Sequence, residues 1–293
     1  MRKLLLTLAF LLVPVMASAD HYADLYVIPA GGHTPGANGT MWMSDIAIQN
    51  FQATALDVQI VFIEGGFENA DNVYPVTTET VNGSVSVPPN GSVLLKDVVN
   101  GHRGMTSTTG AFIVGADRPF AVTSRSYSMA PTGDTVGQTV TPARDFIENT
   151  TGTTTLSTAV AYVPGLIQSA RFRSNLGFVA GNSSAAPMTM SVTVRDGSGA
   201  VAGTRNFTIE SGTFVQTQFP VRDFVTRTFD VGSAEFRITS GSGAVVPYAS
   251  VIDNSTADAV FVSGVFPDNV SPSGKSGFPE SIFRSLFESV RRR

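Results

Sequence analysis

The 293-residue sequence contains no cysteine. Thiol catalysis, iron–sulfur clusters, cysteine-ligated zinc and disulfide bonds are therefore excluded. So is a lipoprotein anchor, which needs a cysteine just after its leader. A chain of this length buries enough surface to fold without cross-links. Charge is also scarce: 14% of residues are charged, and the formal net charge is −4. Lysine occurs at Lys3, Lys96 and Lys275, and Arg291 to Arg293 is the one basic run. This balance argues against nucleic acid as a partner. After the N-terminal leader, no stretch approaches the roughly 20 apolar residues of a membrane-spanning helix.

Recognisable catalytic patterns are missing too. The sequence holds no H-E-x-x-H and no G-x-S-x-G. Gly274-Lys275-Ser276 ends like a phosphate-binding loop, but Asn269 stands where the first glycine belongs. Neither half carries the Asp-Thr/Ser-Gly of an aspartic protease; Asp196-Gly197-Ser198-Gly199 has the wrong order and Gly133-Asp134-Thr135-Val136 lacks the glycine. His21, His33 and His102 lie far apart without carboxylates at ligand spacing, and each reads as a solvated loop histidine. Asp253-Asn254-Ser255-Thr256-Ala257-Asp258 is rich in oxygen but lacks the ordered spacing of a calcium loop, so it reads as a solvated turn. The expectation is a non-enzyme with no catalytic, cofactor-binding or metal-binding residues.

A leader is present. Arg2 and Lys3 precede an apolar run from Leu4 to Val15, and Ala17-Ser18-Ala19 offers the small residues of a cleavage site. Residues 1–19 read as a signal peptide, and the protein as exported to the periplasm or the extracellular space. The leader holds two of the 19 cations and none of the 23 anions, so the mature chain stands at −6. Eight Asn-x-Ser/Thr triplets are a chance expectation in so Asn-, Ser- and Thr-rich a chain.

Period-two alternation dominates the chain beyond the leader. Met188-Thr189-Met190-Ser191-Val192-Thr193-Val194 and Ala234-Glu235-Phe236-Arg237-Ile238 place their apolar side chains on one face, as a half-buried strand requires. Leu56 to Phe62 alternates with one lapse at Val61. Turn signals such as Asn82-Gly83, Pro88-Pro89-Asn90-Gly91 and Asp196-Gly197-Ser198-Gly199 bound these runs.

Six ordered matches suggest duplication. Tyr26-Val27 pairs with Tyr162-Val163, Trp42 to Ile48 with Phe172 to Phe178, and Phe62-Ile63-Glu64-Gly65 with Val194-Arg195-Asp196-Gly197. Ser86 to Gly91 pairs with Thr208 to Gly212, Leu95 to Val99 with Val221 to Val225, and Gly110 to Ile113 with Ser233 to Phe236. The fold expected is all-β: two tandem immunoglobulin-like antiparallel β-sandwiches with a short C-terminal amphipathic helix. The boundaries are 20–144 for the first sandwich, 145–157 for a polar linker, 158–270 for the second, and 271–293 for a linker and helix. In that tail Ile282, Phe283, Leu286, Phe287 and Val290 form one apolar stripe at helical spacing. It reads as a cover for an edge or seam of its own protein, or as a docking or membrane-surface helix.

Trp42, matched to Phe172, reads as a core position. Tyr127 and Tyr248 read as packed strand-end tyrosines whose hydroxyls find backbone partners. Arg125 suits a cross-strand charge pair or an anion. The glycine-rich Ala30 to Thr40 is the longest loop candidate of the first half; its counterpart is Gly165 to Arg171.

Val27-Ile28-Pro29-Ala30, His33, Gly36, Gly39-Thr40, Trp42, Ser44-Asp45-Ile46 and Asn50 resemble a group of uncharacterised bacterial exported proteins with paired β-sandwich repeats. Thr123 to Tyr127, Gly137-Gln138 and Tyr248 to Asn254 extend the likeness over most of the mature chain. The resemblance implies export and a duplicated sandwich, and brings no chemistry with it. Adhesion, surface assembly or protein interaction is the role expected, with a protein or a cell-surface glycan as partner. A carbohydrate-binding module is the first alternative. A hydrolase with a carboxylate pair invisible to motifs is the second.

Overall fold

The computed structural model describes residues 23–36, 39–65, 73–74, 80–129, 132–149, 160–182 and 184–266. The leader, His21, most of the linker and the C-terminal amphipathic segment lie outside these residues.

The described chain is nearly all-β, with antiparallel sheets apart from the parallel pairings of Val73 and Tyr74 with Thr208 and Ile209 and of Gly65 with Gln216. In the N-terminal half the strands are β1 (Ala23–Pro35), β2 (Met41–Gln49), β3 (Leu56–Glu64), β4 (Val73–Tyr74), β5 (Thr80–Val87), β6 (Ser92–Leu95), β7 (Thr108–Met129) and β8 (Thr135–Val140). One short helix, α1 (Val98–Arg103), follows β6. The C-terminal half holds β9 (Ile147–Asn149), β10 (Val160–Gln168), β11 (Phe172–Gly181), β12 (Met188–Asp196), β13 (Val201–Ile209), β14 (Phe214–Pro220), β15 (Phe229–Ser240), β16 (Gly243–Asp253) and β17 (Ala259–Ser263).

Two sheets enclose each half's core. In the N-terminal half β7 runs through both. Its first part pairs with β3 and β1 to give the order β5-β3-β7-β1, and its second part pairs with β2 and β8 to give β6-β2-β7-β8. The passage between sheets falls around residues 116–119, where the register with β1 shifts. Pro119 fits this corner because it has no N–H to offer a ladder. Tyr26, Ile28, Ile60, Phe62 and Phe112 meet Ile46, Ile48, Leu95, Val122 and Val140 between the layers. In the C-terminal half the sheets are β10-β15-β12-β13 and β14-β11-β16-β17, around Met190, Val192, Phe207 and Phe236 on one side and Leu176, Phe178, Phe219 and Val245 on the other.

A third apolar cluster joins the halves. Leu25, Val27, Val61, Ile63, Ala111 and Ile113 point away from the first core and meet Val179, Phe214, Ala244 and Val246, which point away from the second. Val61, the lapse in alternation, is buried here at 1% exposure. The inner strands β1, β3, β11 and β16 and the first part of β7 are thus largely covered on both faces, while outer β12 alternates between buried and half-exposed positions from Met188 to Val194. Four sheet layers stack in one body.

Further contacts cross the seam. Ser250 Oγ lies 3.0 Å from Gln138 Oε1, and Phe261 of β17 packs against the first core. From the N-terminal half, β4 pairs in parallel with β13, placing Val73 beside Thr208 and Tyr74 beside Ile209. The linker expected at 145–157 is partly strand: β9 pairs with β16, and Ile147 is buried in the second core.

Candidate functional site

A set of interacting polar groups gathers where β1, β2, α1 and the second part of β7 meet. Asp97, the residue before α1, has φ of 44°, a left-handed conformation that costs a non-glycine residue roughly 1–3 kcal/mol. Its carboxylate does not cap the helix. It turns to His33, whose Nδ1 lies 2.9 and 3.0 Å from the two carboxylate oxygens. The Asp97 amide donates to Asp45 Oδ1 at 2.9 Å, and Tyr127 Oη donates to the same oxygen at 3.2 Å. Arg125 faces Asp45 across the β2–β7 ladder. Its guanidinium lies 4.6 Å from the Tyr127 ring centroid and donates from Nη2 to Thr135 Oγ1 at 3.0 Å.

An ionised carboxylate can only accept, so the contact with Asp97 fixes the proton of neutral His33 on Nδ1 and leaves Nε2 as the acceptor. Burial, then the neighbouring Asp45, raises the pKa of Tyr127 above the ordinary phenol value, which keeps its hydroxyl a donor. An oriented imidazole, two carboxylates, a phenol and a guanidinium are thus held together from four parts of the sequence: β1, β2, β7 and the turn before α1. The strained Asp97 persists because its amide and its carboxylate are both engaged.

His33 is not in a loop. It lies within β1 at 9% exposure, because the strand runs through most of the expected glycine-rich loop, to Pro35. Gly165 to Gln168 likewise belong to β10. His102 lies in α1 rather than in a loop. Trp42 is not core: it is half-buried on a rung shared with Thr34 and Ser128, its indole edge against Gly36, and it belongs to none of the three apolar clusters. Tyr248 is fully buried in the seam, where its hydroxyl accepts from Gln216 Nε2 at 2.6 Å and approaches the Thr217 carbonyl at 3.4 Å. Burial drives its pKa upward. Gly177 is required beneath it, since a methyl there would collide with the tyrosine ring.

The Asp253 to Asp258 segment is a hydrogen-bonded turn. Asp253 Oδ1 accepts from the Ser255 amide at 2.8 Å and its hydroxyl at 2.5 Å, and Oδ2 accepts from Arg171 at 3.1 Å. Ser255, with help from Arg171, lowers the Asp253 pKa to about 2. Among the described residues, no group of three or more His, Asp or Glu is placed to hold a metal ion.

Two shallow grooves accompany these features. One, of about 310 Å³, is lined by Ile167, Phe172, Val251, Val260 and Val262 together with Asp253 and Asp258. The other, of about 230 Å³, is polar and lined by Asp57, Gln59, Asp117 and Arg118.

No family model and no curated protein matches the chain. Among solved structures, a β-glucuronidase of Bacteroides uniformis aligns at 9% identity and a TM-score of 0.19, over 77% of this chain and 25% of its own. The chain therefore spans a quarter of that enzyme's length. A lectin of Pleurotus ostreatus, solved with GalNAc, aligns at 11% identity and a TM-score of 0.13, over 82% of this chain and 85% of the lectin.

Proposed function

We propose that this is an exported, non-enzymatic protein that engages a surface partner through the polar cluster of its N-terminal half. In this reading the two halves are duplicated, immunoglobulin-like sandwiches. Dividing β7 near residue 120 gives the orders β5-β3-β7-β1 and β6-β2-β7-β8, which run in step with β13-β12-β15-β10 and β14-β11-β16-β17. Ser44 and Ser174 also behave alike, each bonding the backbone of its half's first strand. Each half fills eight strand positions in these orders, one more than the seven of a constant-type immunoglobulin domain.

One observation carries the proposal. On the rungs where the first sandwich places Asp45, Arg125 and Tyr127, the second places Asn175, Ser250 and Ile252. The second sandwich therefore folds without this charged network, so stability alone does not account for it. A site of this kind on a rigid sheet suits recognition of a polar partner.

The test is capture from the intact surface of the source cell, with the mature chain as bait. Arg125→Ala and Tyr127→Phe should each reduce the specific partner at least tenfold while leaving the thermal midpoint within a few degrees. Capture unchanged by both substitutions would remove the cluster from consideration.

Trp42 favours a second reading, a carbohydrate-binding module. A half-buried indole near a strand end provides the flat apolar surface a sugar ring stacks on. A glycan array in which a signal disappears with folded Trp42→Ala would support that reading over the first.

A further inference from the structure

The apolar groove at the end of the C-terminal half has a floor of Ile167, Phe172, Val251, Val260 and Val262. Val260 is 62% exposed, although it occupies a strand beside a buried core. Asp253 and Asp258 also line it, and Asp253 holds the Arg171 guanidinium at 3.1 Å.

The described chain ends close by. Val262 lines the groove, and Val265 pairs with Tyr162 of β10, three residues before the groove-lining Gly165. Beyond Phe266 the sequence continues for 27 residues to Arg293. Its stripe of Ile282, Phe283, Leu286, Phe287 and Val290 is followed by Arg291 to Arg293. From Phe266 to Pro279 the chain can span up to about 40 Å, ample to return to the groove. An apolar stripe carrying two phenylalanines suits this apolar lining.

We propose that residues 279–293 are the ligand of this groove, their apolar stripe covering Phe172 and Val260. The C-terminus thereby folds back on its own sandwich and screens an otherwise exposed apolar surface from solvent. The short reach from Phe266 and the apolar lining favour this occupant over a membrane surface, which would have to be met from outside.

Absence of native cysteine makes the test direct. The mature chain carrying Val260→Cys and Phe287→Cys is treated with a mild oxidant and run under non-reducing conditions. The expected result is an intramolecular disulfide in most chains, unaffected by tenfold dilution and at least tenfold more abundant than in a Thr193→Cys and Phe287→Cys control. Removing residues 267–293 should also speed amide exchange several-fold at residues 259–263. Cross-linked dimers that vanish on dilution would overturn the proposal in favour of a second copy as occupant. Equal cross-linking in the control would overturn it outright. So would an absent cross-link accompanied by tail-dependent binding to vesicles containing anionic phospholipid.

Discussion

Asn50 Nδ2 lies 2.9, 3.1 and 3.0 Å from the carbonyls of Thr54, Val87 and Pro88, and its Oδ1 accepts from the Gln52 amide. Asn182 donates likewise to Ala186 and Ile209 and accepts from Ser184. Each side chain closes a strand end where backbone groups lack ladder partners, and both are fully buried. Asn50→Ala or Asn182→Ala should cost about 3 kcal/mol in urea unfolding, through stranded buried carbonyls. Replacement by Asp should be no better, since a carboxylate cannot donate to a carbonyl. Burial also keeps the Asn182 triplet from acting as a glycan acceptor in the folded chain. Tyr26 makes a second residue-scale case. Its hydroxyl donates to the Phe120 carbonyl at 2.8 Å, and burial raises its pKa to about 12. The neutral form is favoured by folding, so this stability is fully present below pH 10 and is lost as pH rises toward 12. Tyr26→Phe should flatten that part of the stability profile, measured by denaturant titration from pH 9 to 12. None of these partnerships was visible in the sequence, where Asn50 stood out through resemblance alone.

At the scale of strands, alternation was legible where one face meets solvent. Met188 to Val194 forms a strand with the expected faces, and so does Ala234 to Ile238. It failed at Val61 because β3 faces a core on one side and the other half's Val179 and Phe214 on the other. A lone lapse of this sort is too weak a signal to announce a seam. Matching by residue type misled in a similar way: Tyr26 is buried whereas Tyr162 is 39% exposed, since the registers of β1 and β10 differ by one residue. Val61→Thr, harmless if the position faced water, should cost about 1–2 kcal/mol by burying a hydroxyl without a partner. Thr193→Val on outer β12 should stay within about 0.5 kcal/mol. Equal effects of the two substitutions would argue against a shared apolar layer.

At the scale of the molecule, the all-β class was readable, but the assembly of the halves was not. Sequence separation hid it: the seam joins residues 25–113 to residues 179–246. The polar cluster was hidden for the same reason, since His33, Asp45, Asp97 and Tyr127 come from four separate segments and each looks ordinary alone. A shared interior couples the halves energetically, so calorimetry should record a single transition for the intact chain. Ile113→Asp, which puts a charge in the middle layer, should split the melt in two or abolish folding; an unchanged single transition would refute the coupling. β4 adds another tie, because a piece of the first half is paired into the edge of the second. A protease nick between residues 150 and 159 should therefore yield two fragments that still co-elute as one particle, separable by denaturant but not by dilution. The halves are fastened together independently of the peptide that connects them.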